Sequence, residues 1–298
     1  MKINRTDTAI ELSENASLVS LSIQQMSNMK SDRNLSRDLC LDHGARQDAA
    51  QVKVSLFSRQ DLANITAVVS AMRKVYYFYT FELPHDGNGQ ARGPRLLPTR
   101  AAEKFIVKMH ELEELFNEEV DKFVADYESK VQRQRVRLNG MFKESDYLPP
   151  SAVRDAFHAG LSITPMPTVA GINVGQFTEQ YRAQEAERQS QVVTKVTADL
   201  AERLRDAVKH LAERVAVAGE EKARVHSTIF SNVQDLIDLI PACNIANDDG
   251  LDQLAAEAAK IIEQAGRKPV DAVKHSAALR NRISAEAKAL STKASTYF

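Results

Sequence analysis

Apolar residues recur at alternating steps of four and three from Phe105 through Met109, Leu112, Phe116, Val120 and Phe123 to Tyr127. That period belongs to a helix that lays one seam against a neighbour. Thr99 can cap it, and neither Gly nor Pro interrupts it before Gly140, so the pattern predicts one helix over 99–139, about 60 Å long. A second uninterrupted stretch, 176–218, lies between Gly175 and Gly219 and sets Val193, Val196, Leu200, Leu204, Val208, Leu211 and Val215 on one face. Two helices of matched length joined at one end predict a long antiparallel hairpin, with 140–175 as its tip. Pro149, Pro150, Pro165 and Pro167 forbid a continuous helix there and favour extended backbone.

Shorter patterns flank this pair. Val19, Leu21 and Ile23 alternate with polar neighbours, as do Val52, Val54 and Leu56, which predicts two half-buried strands able to pair with each other. Ser58 and Asp61 stand three apart, as in a capping box with Asp in place of Glu, ahead of a helix over 59–79. That helix ends in the aromatic run Tyr76 to Phe81 and breaks at Pro84; at helical spacing the run reads as core. Beyond Gly219 a helix over 222–240 precedes Pro241, and Asn247-Asp248-Asp249-Gly250 forms a turn with a ready cap for a helix over 251–265. The segment 266–298 is Ala-rich, has few large apolar residues beyond Val273, Leu279, Ile283 and Leu290, and reads as a peripheral basic helix. The expected fold is mainly α with a small β element: a hairpin on a mixed α/β base with a Pro-rich tip, spanning 16–265 after an N-terminal arm, 1–15.

Composition narrows the function classes. The chain has 298 residues, 43% hydrophobic and 27% charged, enough for one large core or two modest ones. With 39 basic and 40 acidic residues the formal net charge is -1, so no global field steers it to nucleic acid or membrane. Two cysteines, Cys40 and Cys243, and a polar N-terminus without an apolar signal core predict a reducing cytoplasm. No apolar stretch approaches the ~20 residues of a membrane span.

Candidate chemistry is sparse. His110-Glu111-Leu112-Glu113-Glu114 lacks the second histidine of a zinc helix and reads as a solvated acidic face. Gly87 to Gly93, with Arg92 and Arg95 close by, fits neither a Walker loop nor a dinucleotide fingerprint and reads as a loop. No cofactor and no catalytic residue is expected. Two basic clusters remain: Lys130, Arg133, Arg135 and Arg137, and a C-terminal set of Arg267, Lys268, Lys274, Arg280, Arg282 and Lys288 able to follow a phosphate backbone. The tip supplies Tyr147, Pro149, Phe157, Pro165, Met166 and Pro167 as partner contacts, since extended segments on a scaffold dock readily.

Read in order, several segments resemble an uncharacterised family of bacterial and phage-encoded helical proteins, a domain of unknown function. They are Leu18 to Ile23, Leu39, Pro94-Arg95-Leu96-Leu97-Pro98, Phe116-Asn117 to Phe123 with Tyr127, Asp146-Tyr147 with Pro149-Pro150, Pro165-Met166-Pro167, and Asp235 to Pro241. The similarity covers roughly Ala16 to Ala265. Members are often encoded near a MoxR-type AAA+ ATPase and a von Willebrand A domain protein, which the resemblance implies as partners. The expected function is a non-enzymatic adaptor of such an ATPase system. Nucleic-acid binding through the C-terminal segment, and self-association along the long seams, are the competing expectations.

Overall fold

The aromatic seam is buried as its period requires. In the computed structural model, which describes residues 12–84, 93–220 and 224–297, Phe105, Met109, Phe116, Val120, Phe123 and Tyr127 are all at most 3% exposed, while Leu112 is half-buried. The elements in chain order are β1 (Ala16–Gln24), β2 (Met29–Asp32), α1 (Arg33–Asp42), β3 (Val52–Ser55), α2 (Ala63–Tyr79), β4 (Arg95–Pro98), α3 (Thr99–Ala125) and α4 (Tyr127–Leu138). Then follow α5 (Pro150–Val153), β5 (His158–Pro165), α6 (Thr178–Ala216), α7 (Thr228–Cys243), α8 (Asp249–Ala265), α9 (Pro269–His275) and α10 (Ala277–Ala294). The protein is mainly helical with a small antiparallel β component. It divides into two compact units, one of Leu21–Phe78 with Phe105–Ser162 and the other of Met1–Ser20, Tyr79–Lys104 and Ile163–Phe298.

In the first unit the seam of α3 finds its partner in α2. Tyr76 meets Phe105 with ring centroids 6.5 Å apart, and Asn64 Nδ2 donates to Glu119 at 2.8 Å, so the two helices run antiparallel. Ile65, Val68, Val69, Met72 and Tyr76 supply the facing apolar side of α2. The predicted single helix over 99–139 is broken at Asp126, whose carboxylate turns to Lys130 and Arg133. Ser58 and Asp61 form the predicted reciprocal cap: Ser58 N–H donates to Asp61 Oδ2 at 3.2 Å and Asp61 N–H to Ser58 Oγ at 3.2 Å. The strand at Val52–Ser55 pairs with β2 rather than with β1. The helix α1, which no apolar period announced, is started by Asp32, whose carboxylate accepts from Asn34 and Leu35 N–H.

In the second unit β1 pairs antiparallel with β4, Ala16 opposite Pro98 through Val19 opposite Arg95. The helix α6 buries Val192, Val196, Leu200, Leu204, Val208, Leu211 and Val215; the face rotates by one residue at its start, where Val192 replaces the expected Val193. Its partners are α10, α7 and α8. The two long stretches fall mainly in different units, where the partner of the first is α2 and those of the second are α10, α7 and α8.

The C-terminal helix is not peripheral. α10 is the main neighbour of α6, with Ile283, Ala287, Leu290 and Ala294 buried at 3% exposure or less. Its small side chains let the two backbones approach: Ser284 Oγ donates to Ala212 O at 3.0 Å. The cap predicted within 247–250 forms at Asp248, which accepts from Leu251 N–H at 2.8 Å, and Tyr297 closes over the same carboxylate at 3.1 Å.

Candidate partner-binding cleft

The aromatic residues of the first unit form a connected stack on which an open cleft sits. Phe57, fully buried, meets Phe123 at 5.4 Å, Tyr127 at 5.8 Å and Tyr147 at 5.5 Å between ring centroids. Tyr147 also stacks on Phe142 at 5.1 Å, and the Arg135 guanidinium lies over the Phe142 ring at 4.6 Å. The Tyr147 hydroxyl donates to Leu56 O at 2.9 Å, and the Tyr127 hydroxyl to Leu148 O at 2.9 Å. Burial pushes both phenols up from their usual value, so they act as neutral donors that pin the 146–148 segment.

The cleft encloses about 290 Å³. Phe57, Tyr147, Leu56 and Leu148 border it together with Met26 and Met29. Met29 is 51% and Leu148 38% exposed. Lys30 and Asp146, 3.6 Å apart, stand on its rim. Methionines are flexible and polarizable, and such surfaces adapt to apolar partners.

Of the six expected contact residues, Tyr147 lies in this cleft, and Pro149 is exposed nearby in sequence. Phe157 is 4% exposed and packs on Phe123 at 5.7 Å, so it holds the core rather than offering a surface. Pro165, Met166 and Pro167 belong to the other unit. There Met166 is buried and Pro167 O accepts from the buried Gln189 at 2.9 Å. The Pro-rich tip is thus not one element: its halves are absorbed by two separate cores.

The basic clusters also divide. Arg133 pairs with Asp61 and Asp126, Lys130 with Asp126, Arg135 with Glu144, and Arg137 bonds Gln134 and Ser55 O. In the C-terminal set Arg280 is spent on the fold, since its Nη1 donates to Val273 O and Lys274 O at 2.9 Å each, closing the end of α9. Arg267, Lys268, Lys274, Arg282 and Lys288 are exposed. Lys288 borders a groove of about 670 Å³ between α6 and α10, with Lys209, Glu213 and Ser291.

Cys40 and Cys243 are both buried and unpaired, and burial pushes the Cys243 thiol up to about 12, which makes it a packing group rather than a nucleophile. No group of three or more His, Cys, Asp or Glu side chains able to hold a metal gathers among the described residues. His110 and Glu114 are exposed. The Gly87–Arg92 loop lies outside the described residues. No helix among the described residues is long and apolar enough to cross a membrane. No protein-family model matches the chain, and no curated protein or solved structure does either.

The signal for the cleft was present but dispersed: Met26 and Met29 sit in a polar stretch, and only the pairing of β2 with β3 brings them to Phe57 and Tyr147.

Proposed function

We propose that the protein is a non-enzymatic adaptor or assembly partner in the cytoplasm of a bacterium or phage-infected host, and that it works through protein contacts made at the Tyr147 cleft. The observation that carries this reading is an open, apolar, Met-lined cleft floored by rings fixed in place by hydrogen bonds from Tyr147 and Tyr127. A preformed floor lowers the ordering cost of binding. The family resemblance supplies the kind of partner, a MoxR-type AAA+ ATPase or the von Willebrand A domain protein encoded beside it.

Purification of the tagged, full-length protein from its native cells, with and without nuclease, tests this, with mass spectrometry of what co-elutes. An AAA+ ATPase retained after nuclease, and lost from Leu148→Asp, supports the adaptor reading. Leu148 contributes an exposed side chain to the cleft, while its carbonyl bond to Tyr127 survives the substitution. Retention that Leu148→Asp leaves unchanged sinks the cleft as the docking site.

A second reading, nucleic-acid association, is favoured by Arg267, Lys268, Lys274, Arg282 and Lys288, which are exposed and form no ion pair among the described residues. It calls for nuclease-sensitive co-elution and affinity that falls steeply with salt.

A further inference from the structure

The hydrogen bonds of the β2–β3 ribbon leave one backbone edge open beside the cleft. Leu56 N–H donates to Asn28 O at 2.9 Å, and the register places Lys30 opposite Val54 and Asp32 opposite Val52. In an antiparallel pair, inward and outward backbone groups alternate. Lys30 and Asp32 therefore turn their peptide groups toward β3, while Met29 and Ser31 turn theirs away. Met29 O accepts from Ser27 Oγ at 3.1 Å, so the outward set is the Met29 N–H with the Ser31 N–H and C=O. Among the described residues the sheet has only these two strands, and Met29, Lys30 and Ser31 are exposed.

The opposite edge is occupied differently. Ser55 O, which faces outward from β3, takes the Arg137 guanidinium, while on the inner side Ser36 Oγ bridges Val52 N–H, at 2.9 Å, to Asp32 O. At the other end Asn28 ties the ribbon to the cleft floor, accepting from Phe57 N–H at 2.6 Å and donating to Phe57 O at 3.2 Å. The open edge is thus held rigidly against Phe57.

We infer that β2 accepts an extended, acidic and apolar segment of a partner protein as a third strand, one apolar side chain entering the cleft at Met29, Phe57 and Tyr147. This rests on the interaction reading above. Main-chain bonds to Met29 and Ser31 supply affinity and the cleft supplies selectivity, the usual division in strand addition. Charge selects the sign of the partner. The exposed charges of the ribbon itself, Lys30 and Lys53, are both positive; Asp146 on the cleft rim offsets Lys30 in part at 3.6 Å, Lys53 has no such neighbour among the described residues, and Asp32 is withdrawn into bonds with Asn34, Leu35 and Lys143. A carboxylate opposite Lys30 is favourable across strands. A second copy is disfavoured by the same charges: two β2 edges paired about a two-fold axis bring their Lys30 side chains within a residue of each other.

The test uses the full-length protein with fluorescein-labelled ten-residue peptides that alternate Val with Glu or Val with Lys. Binding is followed by fluorescence anisotropy and by amide hydrogen exchange at Ser31. The expected result is at least tenfold tighter binding of the Glu peptide, protection of the Ser31 amide, and at least tenfold loss in Ser31→Pro. Proline is tolerated where an edge N–H faces outward; should that variant not fold, Lys30→Glu carries the test by reversing the peptide preference. Binding without Ser31 protection, or no preference between the peptides, overturns the inference. So does Ser31 protection that rises with protein concentration alone alongside dimer in sedimentation, which makes a second copy the occupant. The adaptor reading fails separately: an ATPase retained by Ser31→Pro leaves it standing without the edge, whereas peptide binding with no ATPase retained leaves the edge standing without it.

Discussion

Replacing Asp61 by Ala removes the junction between the cap of α2 and the helix α4. Its Oδ2 accepts from Ser58 Oγ at 2.6 Å, from Gln134 Nε2 at 2.8 Å and from Ser58 N–H at 3.2 Å. Its Oδ1 takes Arg133 at 3.3 Å. The Arg133 side chain is 53% exposed, so that ion pair counts for little. Gln134 is 2% exposed; its Oε1 still accepts from Arg137, but its amide nitrogen keeps only the Lys130 carbonyl at 3.2 Å. Loss of a cap costs ~1 kcal/mol, and each further hydrogen bond about 0.5–1.5 kcal/mol, so the variant is expected to lose about 2–4 kcal/mol. Ser58→Ala, which removes one arm, should lose ~1 kcal/mol. Because the two units need not unfold together, native-state hydrogen exchange on α2 and α4 is the appropriate assay. Burial alone would raise the Asp61 carboxyl, but hydrogen bonds from Ser58 and Arg133 outweigh it and hold it below the usual carboxylate value. The group therefore stabilises the fold above the ordinary carboxylate range and loses that contribution as pH falls through the folded value. A loss under ~0.5 kcal/mol in Asp61→Ala, or an acid response identical to that of the parent, refutes the junction.

Other outcomes follow from the same geometry. Leu204→Ala empties a fully buried site on α6 and should cost about 2–5 kcal/mol, read as a lowered denaturant midpoint of the 163–298 region; a loss below ~1 kcal/mol means that α10 collapses into the cavity. Burial and the neighbouring Asp248 carboxylate push the Tyr297 phenol up to about 12. Its bond to Asp248 is kept below the usual tyrosine range and lost as pH rises toward that value, so ultraviolet titration of Tyr297→Phe should lack one phenol that ionises well above the ordinary tyrosine range. Cys40 and Cys243 are buried, and neither should react with an aromatic disulfide reagent before unfolding; fast native reaction at Cys243 contradicts its raised thiol. Gly219→Ala places a Cβ against the Arg280 guanidinium and should free that side chain from Val273 O and Lys274 O, loosening α9 in hydrogen exchange.

Local patterns were decided along the chain itself. The Phe105–Tyr127 seam, the Ser58–Asp61 box and the Asp248 cap are set by residues three or four apart, so periodicity and capping chemistry suffice to read them. The break at Asp126 escaped that reading because nothing in the apolar period marks it.

Which seam meets which was settled only by folding. The long helices matched in length, and length cannot distinguish two partners of similar apolar width; Tyr76 on Phe105 and Ser284 on Ala212 made the choice. α10 looked peripheral because its buried face is mostly Ala and Ser, residues that carry little hydrophobic signal in a sequence yet allow the closest backbone approach. The cleft depends on the same distinction. Met29, Phe57 and Tyr147 are up to 118 residues apart, and no local period links them. They become neighbours because Asn28 ties β2 to Phe57 and the Tyr147 hydroxyl ties the 146–148 segment to Leu56, long-range bonds that exist only once the core of the first unit has formed.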